Sequence, residues 1–521
     1  MPEYLTPGVY IEEIERGPRP IEGVPTSTAA FLGETERGPI RPRLVTSYND
    51  YKRWFGGTFG TGKYMPYAVN GFFENGGKRL YVCRIVDETS VTATREFGSL
   101  TLKAIGPGEW GNSVNASIGN STTLDKDGNP IGFRLKMAYW ANPPEGFAPY
   151  DPFDKANRTK LPRPTIAEDF DDLTLDPASP DFFEKRVGKG SELNSALAWL
   201  DSGGELAPEF PDLGAWGPLE NGAGGAALSS DDFVGEKAGS RDTQQGLAAL
   251  LLDPYREVAL VHAPYPGGPV TDIVNKIILH CETSRFRFAV IDCEPHDSDM
   301  GNLVPREDLG TDTQYAAFYY PWVIASDPQS GARVLVPPGG YALGVYARTD
   351  SERGVFKAPA NEIARGVLDL EFDINDEAQG VLNPRGVNAI RKFPGRGIRI
   401  WGARTLSSNT LWKYVSVRRL FIFLERSIYE GTQWVVFEPN DDRLWARVKD
   451  TIRLFLRSQW REGALFGRTE EEAFFITCDR TTMSQDDILN GRLICEIGIS
   501  PVRPAEFVIF RIFQQTAEAQ V

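Results

Sequence analysis

The sequence predicts an α/β fold of several domains, in which an extended arm precedes an α/β middle domain with a β-rich insertion. An α+β domain ending in a strand arm completes the chain. Three observations predict this organisation. Strand, helix and strand patterns alternate on both sides of residues 102–239, those residues show little helical periodicity, and prolines crowd the first 25 positions.

The N-terminal arm is predicted over residues 1–25. Its prolines forbid a helix and disfavour a central strand, although one short β-favouring piece lies between them. That piece contains Val9, Tyr10, Ile11 and Ile14. Because this segment is short, it buries little apolar surface by itself. We therefore expect it to pair with another sheet, in the same chain or in a second copy.

The middle domain is predicted over residues 26–101 and 240–384. The elements expected there are strands at Thr28–Gly33, Leu80–Val86, Val258–Val261 and Phe288–Asp292, and helices at Tyr48–Phe55 and Val270–Thr283. A strand, a helix and a strand in that order form a parallel crossover unit. The domain is therefore predicted to contain a parallel sheet.

A β-rich inserted outer domain is predicted over residues 102–239. Asp127-Gly128 is a hairpin signal, and Asp125, Asp127 and Gly128 favour a turn over a calcium loop, which would need a later glutamate. The run Gly222–Gly225 has the composition of a flexible linker at the end of the insertion.

The C-terminal α+β domain is predicted over residues 385–504, with a long helix at Asp442–Trp460. A strand is predicted at Glu506–Phe513, within a terminal arm of residues 505–521, and its apolar positions include Phe507, Ile509, Phe510 and Ile512. Such a strand would promote aggregation as an exposed edge. It is either central in its own domain or added to the sheet of a neighbouring subunit.

Charge is unevenly distributed along the chain. The 521 residues carry a net charge of -15, which argues against nucleic-acid binding. From Arg385 onward, however, 21 Lys and Arg stand against 16 Asp and Glu. The C-terminal part is therefore the part suited to an acidic surface.

The five cysteines are Cys83, Cys281, Cys293, Cys478 and Cys495. Their odd number and the absence of a CxxC pair indicate neither a disulfide framework nor a zinc site, so we expect reduced, buried thiols. The N-terminus lacks a basic region followed by an apolar run, and no stretch approaches about 20 apolar residues. We expect synthesis in the cytoplasm and no direct membrane insertion.

Enzymatic motifs are weak. Gly57–Lys63 matches part of a phosphate-binding loop, but Tyr64 replaces the Ser or Thr that would hold magnesium, and the preceding residues favour a helix. No GxSxG or HExxH motif occurs. The three histidines, His262, His280 and His296, end α/β elements and favour structural roles.

Carboxylate runs at Asp169–Asp172 and Glu470–Glu472 offer a possible metal site. Runs of acids are more often solvated faces or first turns of helices. We therefore expect no metal and no cofactor.

One helix face is basic. On a helical wheel of Asp442–Arg461, one side is apolar and the opposite side carries Arg443, Arg447, Arg453, Arg457 and Arg461. The five side chains form either an ordinary solvated face or a guanidinium stripe that an acidic partner completes.

Several segments in this order resemble the contractile tail sheath proteins of phages, pyocins and phage-like injection systems. They are Leu5–Glu13, Phe31–Gly33, Arg37–Pro39, Asp172–Pro177, Ala316–Trp322, Val336–Gly340, Tyr346–Asp350, Gly354–Glu362, Trp401–Leu406 and Arg418–Leu420. Together these segments extend over most of the chain.

The resemblance implies an inactive, subtilisin-like middle domain and a C-terminal domain lying innermost, against a rigid inner tube. It implies stacked hexameric rings whose subunits exchange terminal strands, and contraction that drives the tube through a target envelope. The arginine stripe would contact the tube in the extended state. Further partners implied are baseplate and terminator or cap proteins, in a phage tail or tail-like particle, released or envelope-anchored.

An α/β hydrolase-type enzyme that shares only the middle fold is the alternative. It would need a nucleophile and a base, and the motif search finds neither. Self-association into long polymers distinguishes the structural protein from this enzyme.

Overall fold

The computed structural model describes residues 20–188, 194–204, 210–235, 245–266, 270–296 and 298–511. They form two compact units, one of residues Pro25–Arg418 and the other of the residues before and after that range. The predicted arm positions Val9, Tyr10, Ile11 and Ile14, and the terminal position Ile512, lie outside the described residues.

The strands are β1 (Ala29–Gly33), β2 (Arg43–Val45), β3 (Leu80–Arg84), β4 (Thr94–Phe97), β5 (Leu100–Ala104), β6 (Val114–Asn120), β7 (Phe133–Tyr139), β8 (Ile166–Leu173), β9 (Ala198–Asp201), β10 (Gly214–Pro218), β11 (Leu260–His262), β12 (Phe288–Asp292), β13 (Ala316–Tyr320), β14 (Val323–Ser326), β15 (Arg333–Val336), β16 (Glu362–Ile363), β17 (Val367–Leu370), β18 (Val387–Phe393), β19 (Gly397–Ile400), β20 (Phe474–Thr477) and β21 (Glu496–Ile499). The helices are α1 (Tyr48–Phe55), α2 (Met65–Glu74), α3 (Phe183–Val187), α4 (Ser230–Val234), α5 (Gly246–Leu250), α6 (Val270–Ser284), α7 (Pro305–Asp308), α8 (Gly339–Arg353), α9 (Asp376–Leu382), α10 (Val415–Gly431), α11 (Asp442–Arg461), α12 (Glu470–Ala473) and α13 (Gln485–Leu489).

A nine-stranded sheet forms the centre of the larger unit, in the order β16-β19-β18-β13-β12-β11-β1-β3-β2. The six strands from β18 to β3 are parallel, and antiparallel strands close both edges. Strands β1 and β12 are fully buried, as continuous apolar runs in parallel sheets usually are. The predicted strand–helix–strand unit is confirmed as β11, α6 and β12.

The large sheet continues past residue 385, where the sequence predicts the start of the C-terminal domain. Strand β18 pairs with β13, and its first five residues, Val387–Arg391, are buried. The compact C-terminal unit begins at Arg419 instead. Sequence patterns missed this because β18 resembles any apolar strand, and only its pairing partner assigns it to the large sheet.

Two antiparallel sheets, β4-β5-β9 and β10-β6-β7-β8, account for the β-rich stretch. The hairpin predicted at Asp127-Gly128 is confirmed, because Asp125 N–H donates to the Asn129 carbonyl at 2.8 Å and Gly128 adopts φ +84°. The Gly-rich run is anchored rather than a free linker. Gly222 N–H donates to Asn112 Oδ1 at 2.7 Å, and Ser90 donates to the Gly224 carbonyl at 3.0 Å.

Helix α8 is buried around its whole circumference over residues 339–349. Its glycines allow close packing on α2, since a Cβ at Gly340 would lie 2.4 Å from the Ala68 carbonyl oxygen. Arg348 donates to the carbonyls of Asn75, at 3.0 Å, and Ile363, at 2.7 Å. The segments Val336–Gly340 and Tyr346–Asp350, which contribute to the family resemblance, therefore serve packing.

The smaller unit contains α11, the β20-β21 hairpin and the short helices α12 and α13. Within it, the ring centres of Phe423 and Phe455 lie 6.0 Å apart. Residues 20–24 also belong to it. Ile21 is buried, and Val24 N–H donates to Ser427 Oγ at 3.1 Å.

The strand predicted at Glu506–Phe513 is wrong for the described residues, since 506–511 form no strand. Phe507, Val508, Ile509 and Phe510 are 72%, 67%, 77% and 84% exposed. The segment is therefore not central in its own domain, because no second strand covers it among the described residues. Its apolar composition favours a strand, but a strand forms only where a partner supplies backbone hydrogen bonds.

Candidate interaction surfaces

Helix α11 supplies the basic face. It begins after Asp441, whose carboxylate accepts from Leu444 N–H at 2.9 Å and so caps the first turn. Apolar residues at helical spacing hold the helix against the unit's core. The buried residues are Leu444, Trp445, Val448, Thr451, Ile452, Phe455, Leu456 and Gln459. The amphipathic pattern thus fixes which side of the helix faces outward.

The five arginines lie away from that buried face, as the helical wheel predicts. Arg443, Arg447, Arg453 and Arg461 are exposed, and Arg457 is half-buried. A single helix face therefore carries five guanidinium groups. Their contact with an inner tube stays a prediction.

Two of the arginines already have an acidic partner within the chain. Glu470, in the first turn of α12, accepts from Arg457 Nε at 2.6 Å and from Arg453 Nε. These contacts lower the pKa of the Glu470 carboxyl and raise that of Arg457. The sequence showed the run Glu470–Glu472 only as a carboxylate cluster, because the 13 and 17 residues that separate Glu470 from the two arginines hide the pairing.

The other three arginines are less constrained. The Arg447 guanidinium lies 4.6 Å from the centre of the Trp434 ring and 3.8 Å from the Glu438 carboxylate. Arg443 and Arg461 form no ion pair with any residue in the described ranges. These three side chains are the part of the stripe that an external acidic surface can use.

The terminal segment Phe507–Phe510 is the second candidate surface. Four consecutive apolar side chains, each at least two-thirds exposed, follow the β20-β21 hairpin. Exposed apolar segments with unpaired backbone are templates for strand addition. The segment has the composition and accessibility of a strand that pairs with another chain.

The carboxyl edge of the parallel strands is where an α/β enzyme would bind its ligand. His262 and Asp292 end neighbouring strands there, and both side chains are buried. His262 Nδ1 lies 2.9 Å from the Val290 carbonyl oxygen, and Asp292 Oδ1 accepts from Gly339 N–H at 2.7 Å. Burial raises the pKa of Asp292.

The His262 side chain is fully buried, and α8 packs directly on it. A Cβ at Gly339 would lie 2.3 Å from the imidazole ring. A cavity of about 240 Å³ opens beside the pair, with Asp292, Glu294, Asp299 and Asp308 in its wall. The described residues lining it include no histidine, serine or cysteine. The lining therefore does not contain the Ser–His or Cys–His pair of the common hydrolases.

The remaining sequence candidates have structural partners. Lys63 pairs with Glu34, and the glycine-rich loop follows helix α1 rather than a strand. His280 contacts Arg287 at 2.6 Å, and burial with that guanidinium lowers the pKa of His280 to about 3. His296 pairs with Glu371 at 2.7 Å.

The Asp169–Asp172 run also has protein partners. Asp169 accepts two hydrogen bonds from Arg134, at 2.6 and 2.8 Å, and Asp171 accepts from Thr122. Within the described ranges, no three His, Cys, Asp or Glu side chains are grouped to hold a metal ion. The helices in those ranges include none with the length and apolar character needed to cross a membrane.

Two family models match consecutive parts of the chain. The phage tail sheath protein central domain matches residues 236–406, and the phage tail sheath C-terminal domain matches residues 407–515. Together they cover more than half of the 521 residues.

Curated relatives agree with these matches. A Pseudomonas aeruginosa protein described as a prophage major tail sheath protein is 25% identical over 325 residues, which are 61% of this chain and 78% of the relative. The tail sheath protein of Vibrio phage KVP40 is 23% identical over 217 residues, 41% of this chain and 31% of the relative.

Solved structures share the fold over nearly the whole chain. The contracted sheath complex of an extracellular contractile injection system has a TM-score of 0.56 at 23% identity, covering 99% of both chains. A chain in the anti-feeding prophage baseplate has 0.55 at 23%, covering 98% of this chain and 99% of its own. The Listeria innocua sheath tail protein has 0.56 at 11%, covering 93% and 96%. With both family models in sequence order and curated relatives of the same kind, the chain belongs to the phage tail sheath protein family.

Proposed function

We propose that this chain is the structural subunit of a contractile sheath, polymerising as stacked hexameric rings around an inner tube. Contraction of the polymer would drive the tube through a target envelope. The exposed apolar segment Phe507–Phe510 carries the proposal, because a subunit that works by linking to copies of itself needs a segment that can pair with another chain. The packed His262 edge supports a structural role over catalysis.

The linkage is strand addition between subunits. Val9, Tyr10, Ile11 and Ile14 supply one strand, and the region of Phe507, Ile509, Phe510 and Ile512 supplies another. Backbone hydrogen bonds would hold each joint, and the alternating apolar side chains would set its register. Joints at both chain ends keep every subunit connected while rings slide and rotate.

The arginine stripe faces the tube in this proposal. Arg443, Arg447 and Arg461 make the main contacts, since Glu470 already engages Arg453 and Arg457. Partly exposed ion pairs contribute about 0–1 kcal/mol each. Many weak contacts of this size suit a sheath that must hold the tube and later release it.

The remaining assignments follow from the family. The sheath would contact baseplate and terminator or cap proteins, in a phage tail or tail-like particle assembled from chains made in the cytoplasm. Contraction would draw on energy stored during assembly, with no nucleotide bound by this chain. Residues 102–239 would form an outer domain, and the subtilisin-like character of the middle domain stays a prediction.

Electron microscopy of the purified chain tests the proposal. We expect long, striated, hollow cylinders from the wild type and none from the double variant Phe507→Asp/Phe510→Asp. Phe437→Asp is the matched control, because Phe437 is fully exposed in the same unit but lies off the arm. Its polymers should be unaffected.

Two results would count against the proposal. A wild type that stays monomeric at high concentration would exclude a self-assembling sheath. Cylinders formed equally well by the Phe507→Asp/Phe510→Asp variant, or by a chain lacking residues 1–20, would exclude the corresponding arm as a linker.

A further inference from the structure

Cys478 and Cys495 face each other across the β20-β21 hairpin. The strands pair antiparallel from Phe474 with Ile499 to Thr477 with Glu496. Continuing this register by one residue places Cys478, which follows β20, opposite Cys495, which precedes β21. The register therefore brings the two thiols to the same end of the hairpin.

The hairpin's hydrogen bonds define the type of pair. Ser500 N–H donates to the Ala473 carbonyl at 2.9 Å, so those two residues form a hydrogen-bonded pair. Hydrogen-bonded and non-hydrogen-bonded pairs alternate along an antiparallel ladder, which makes Cys478 and Cys495 a non-hydrogen-bonded pair. The Cα atoms of such pairs lie about 4.5 Å apart, within the roughly 4.4–6.8 Å that a disulfide requires.

Exposure singles out Cys495, the partly exposed member of the pair. Cys478 is buried, at 3% exposed, and Cys83, Cys281 and Cys293 are at most 1% exposed. The contact with Cys495 and the nearby Lys449 ammonium lower the pKa of Cys478, although burial opposes them. Burial raises the pKa of Cys281 to about 12, which keeps that thiol protonated and inert.

We propose that Cys478 and Cys495 form a reversible disulfide when the chain meets a low-molecular-weight disulfide such as glutathione disulfide. One cysteine thiolate attacks the small disulfide, forming a mixed disulfide and releasing one thiol. The second cysteine then attacks the protein sulfur of the mixed disulfide and releases the other. Two protein thiols are oxidised and one small disulfide is reduced to two thiols, so electrons and protons balance.

The bond would close the loop of residues 479–494 and fix β21 to β20. Seven residues, 500–506, connect strand β21 to the exposed segment Phe507–Phe510. If that segment links subunits, tension on it would pull β21 along β20 in shear. This consequence rests on the proposed function. The four ladder pairs and the backbone hydrogen bonds of Ser500 and Val502 resist that load, and the disulfide would add a covalent anchor at the far end of β21.

Peptide mapping tests the disulfide in the full, unassembled chain. The chain is incubated with glutathione disulfide or with reduced glutathione, denatured, alkylated and digested with trypsin. Arg480 and Arg492 lie between the cysteines with exposed side chains, so after cleavage only a disulfide can join the two cysteine peptides. We expect the joined peptides in the oxidised sample and their loss after reduction.

The other cysteines serve as internal controls. Cys83, Cys281 and Cys293 should be fully alkylated in both samples. Alkylation of Cys478 and Cys495 to the same extent as these three, or joined peptides that contain another cysteine, would overturn the proposal. Cys478→Ser and Cys495→Ser should each give a glutathione adduct on the remaining cysteine of the pair. Because no polymer is needed, failure here is distinguishable from failure of the sheath proposal.

Discussion

Replacing Gly344 by alanine should loosen the contact between α8 and α2. The added Cβ would lie 2.5 Å from Asn75 Cβ and 2.6 Å from the Phe72 carbonyl oxygen. Carbon atoms in contact normally lie about 3.5–4.0 Å apart, so the helices would have to separate by about 1 Å. Asn75 also bonds Arg348 and both backbone groups of Arg365, and the separation would strain those bonds as well.

The expected cost follows from two opposing terms. Over-packing costs about 1–3 kcal/mol, and this case belongs near the upper end because neither Asn75 Cβ nor the Phe72 carbonyl can rotate away. Alanine in place of glycine within a helix stabilises by about 0.5–1 kcal/mol. We therefore expect the free energy of local opening to fall by about 2 kcal/mol, or about 30-fold faster amide exchange.

Native-state hydrogen exchange measures this quantity for each helix separately, without requiring two-state unfolding of the whole chain. Gly380→Ala in α9 is the matched control, since a Cβ there meets nothing within 4 Å. It should slow exchange in α9 by the propensity term alone. If amide exchange in α8 and α2 of the Gly344→Ala variant were as slow as in the wild type, the packing argument would be refuted.

Two further predictions concern the α11 face. Glu470→Gln should destabilise α11 and α12 by about 1 kcal/mol at neutral pH, because two partly exposed ion pairs are lost. The pKa of the wild-type Glu470 carboxyl is depressed, so the stability that its ion pairs add should be lost as pH falls below about 4.5. A stability difference between wild type and variant that persists at low pH would contradict this prediction. Arg443→Glu/Arg461→Glu should weaken co-sedimentation with the inner tube in a salt-dependent way and leave exchange in α11 unchanged. Arg453→Gln/Arg457→Gln should instead speed amide exchange in α11 and leave tube binding unchanged. If both double variants weakened tube binding equally, Arg443 and Arg461 would not be the main tube contacts.

Local sequence patterns predicted those elements whose burial follows one simple rule along their whole length. Helix α1 and strand β12 have the predicted bounds, and α11 differs from its prediction by one residue. In each case the burial pattern alone determines the structure, because every side of β12 is covered and one face of α11 is apolar. The outward direction of the arginine stripe followed from the same reasoning.

Features that depend on pairing between distant residues could not be predicted this way. The assignment of β18 to the large sheet, the contacts of Glu470 and the opposition of Cys478 and Cys495 all require knowing which segments lie side by side. The strand predicted near Phe507 failed for a related reason. Its composition favours a strand, but a strand forms only where a neighbour supplies hydrogen bonds.

The exposed segment Phe507–Phe510 also affects how the chain must be produced. Free subunits in solution present contiguous apolar surface, and the rate at which such surfaces meet rises with subunit concentration. In the sheath proposed above, a large reserve of unassembled chain would favour precipitation. Synthesis would then have to match the number of growing assembly ends, so that each new copy finds its place before it meets another free one.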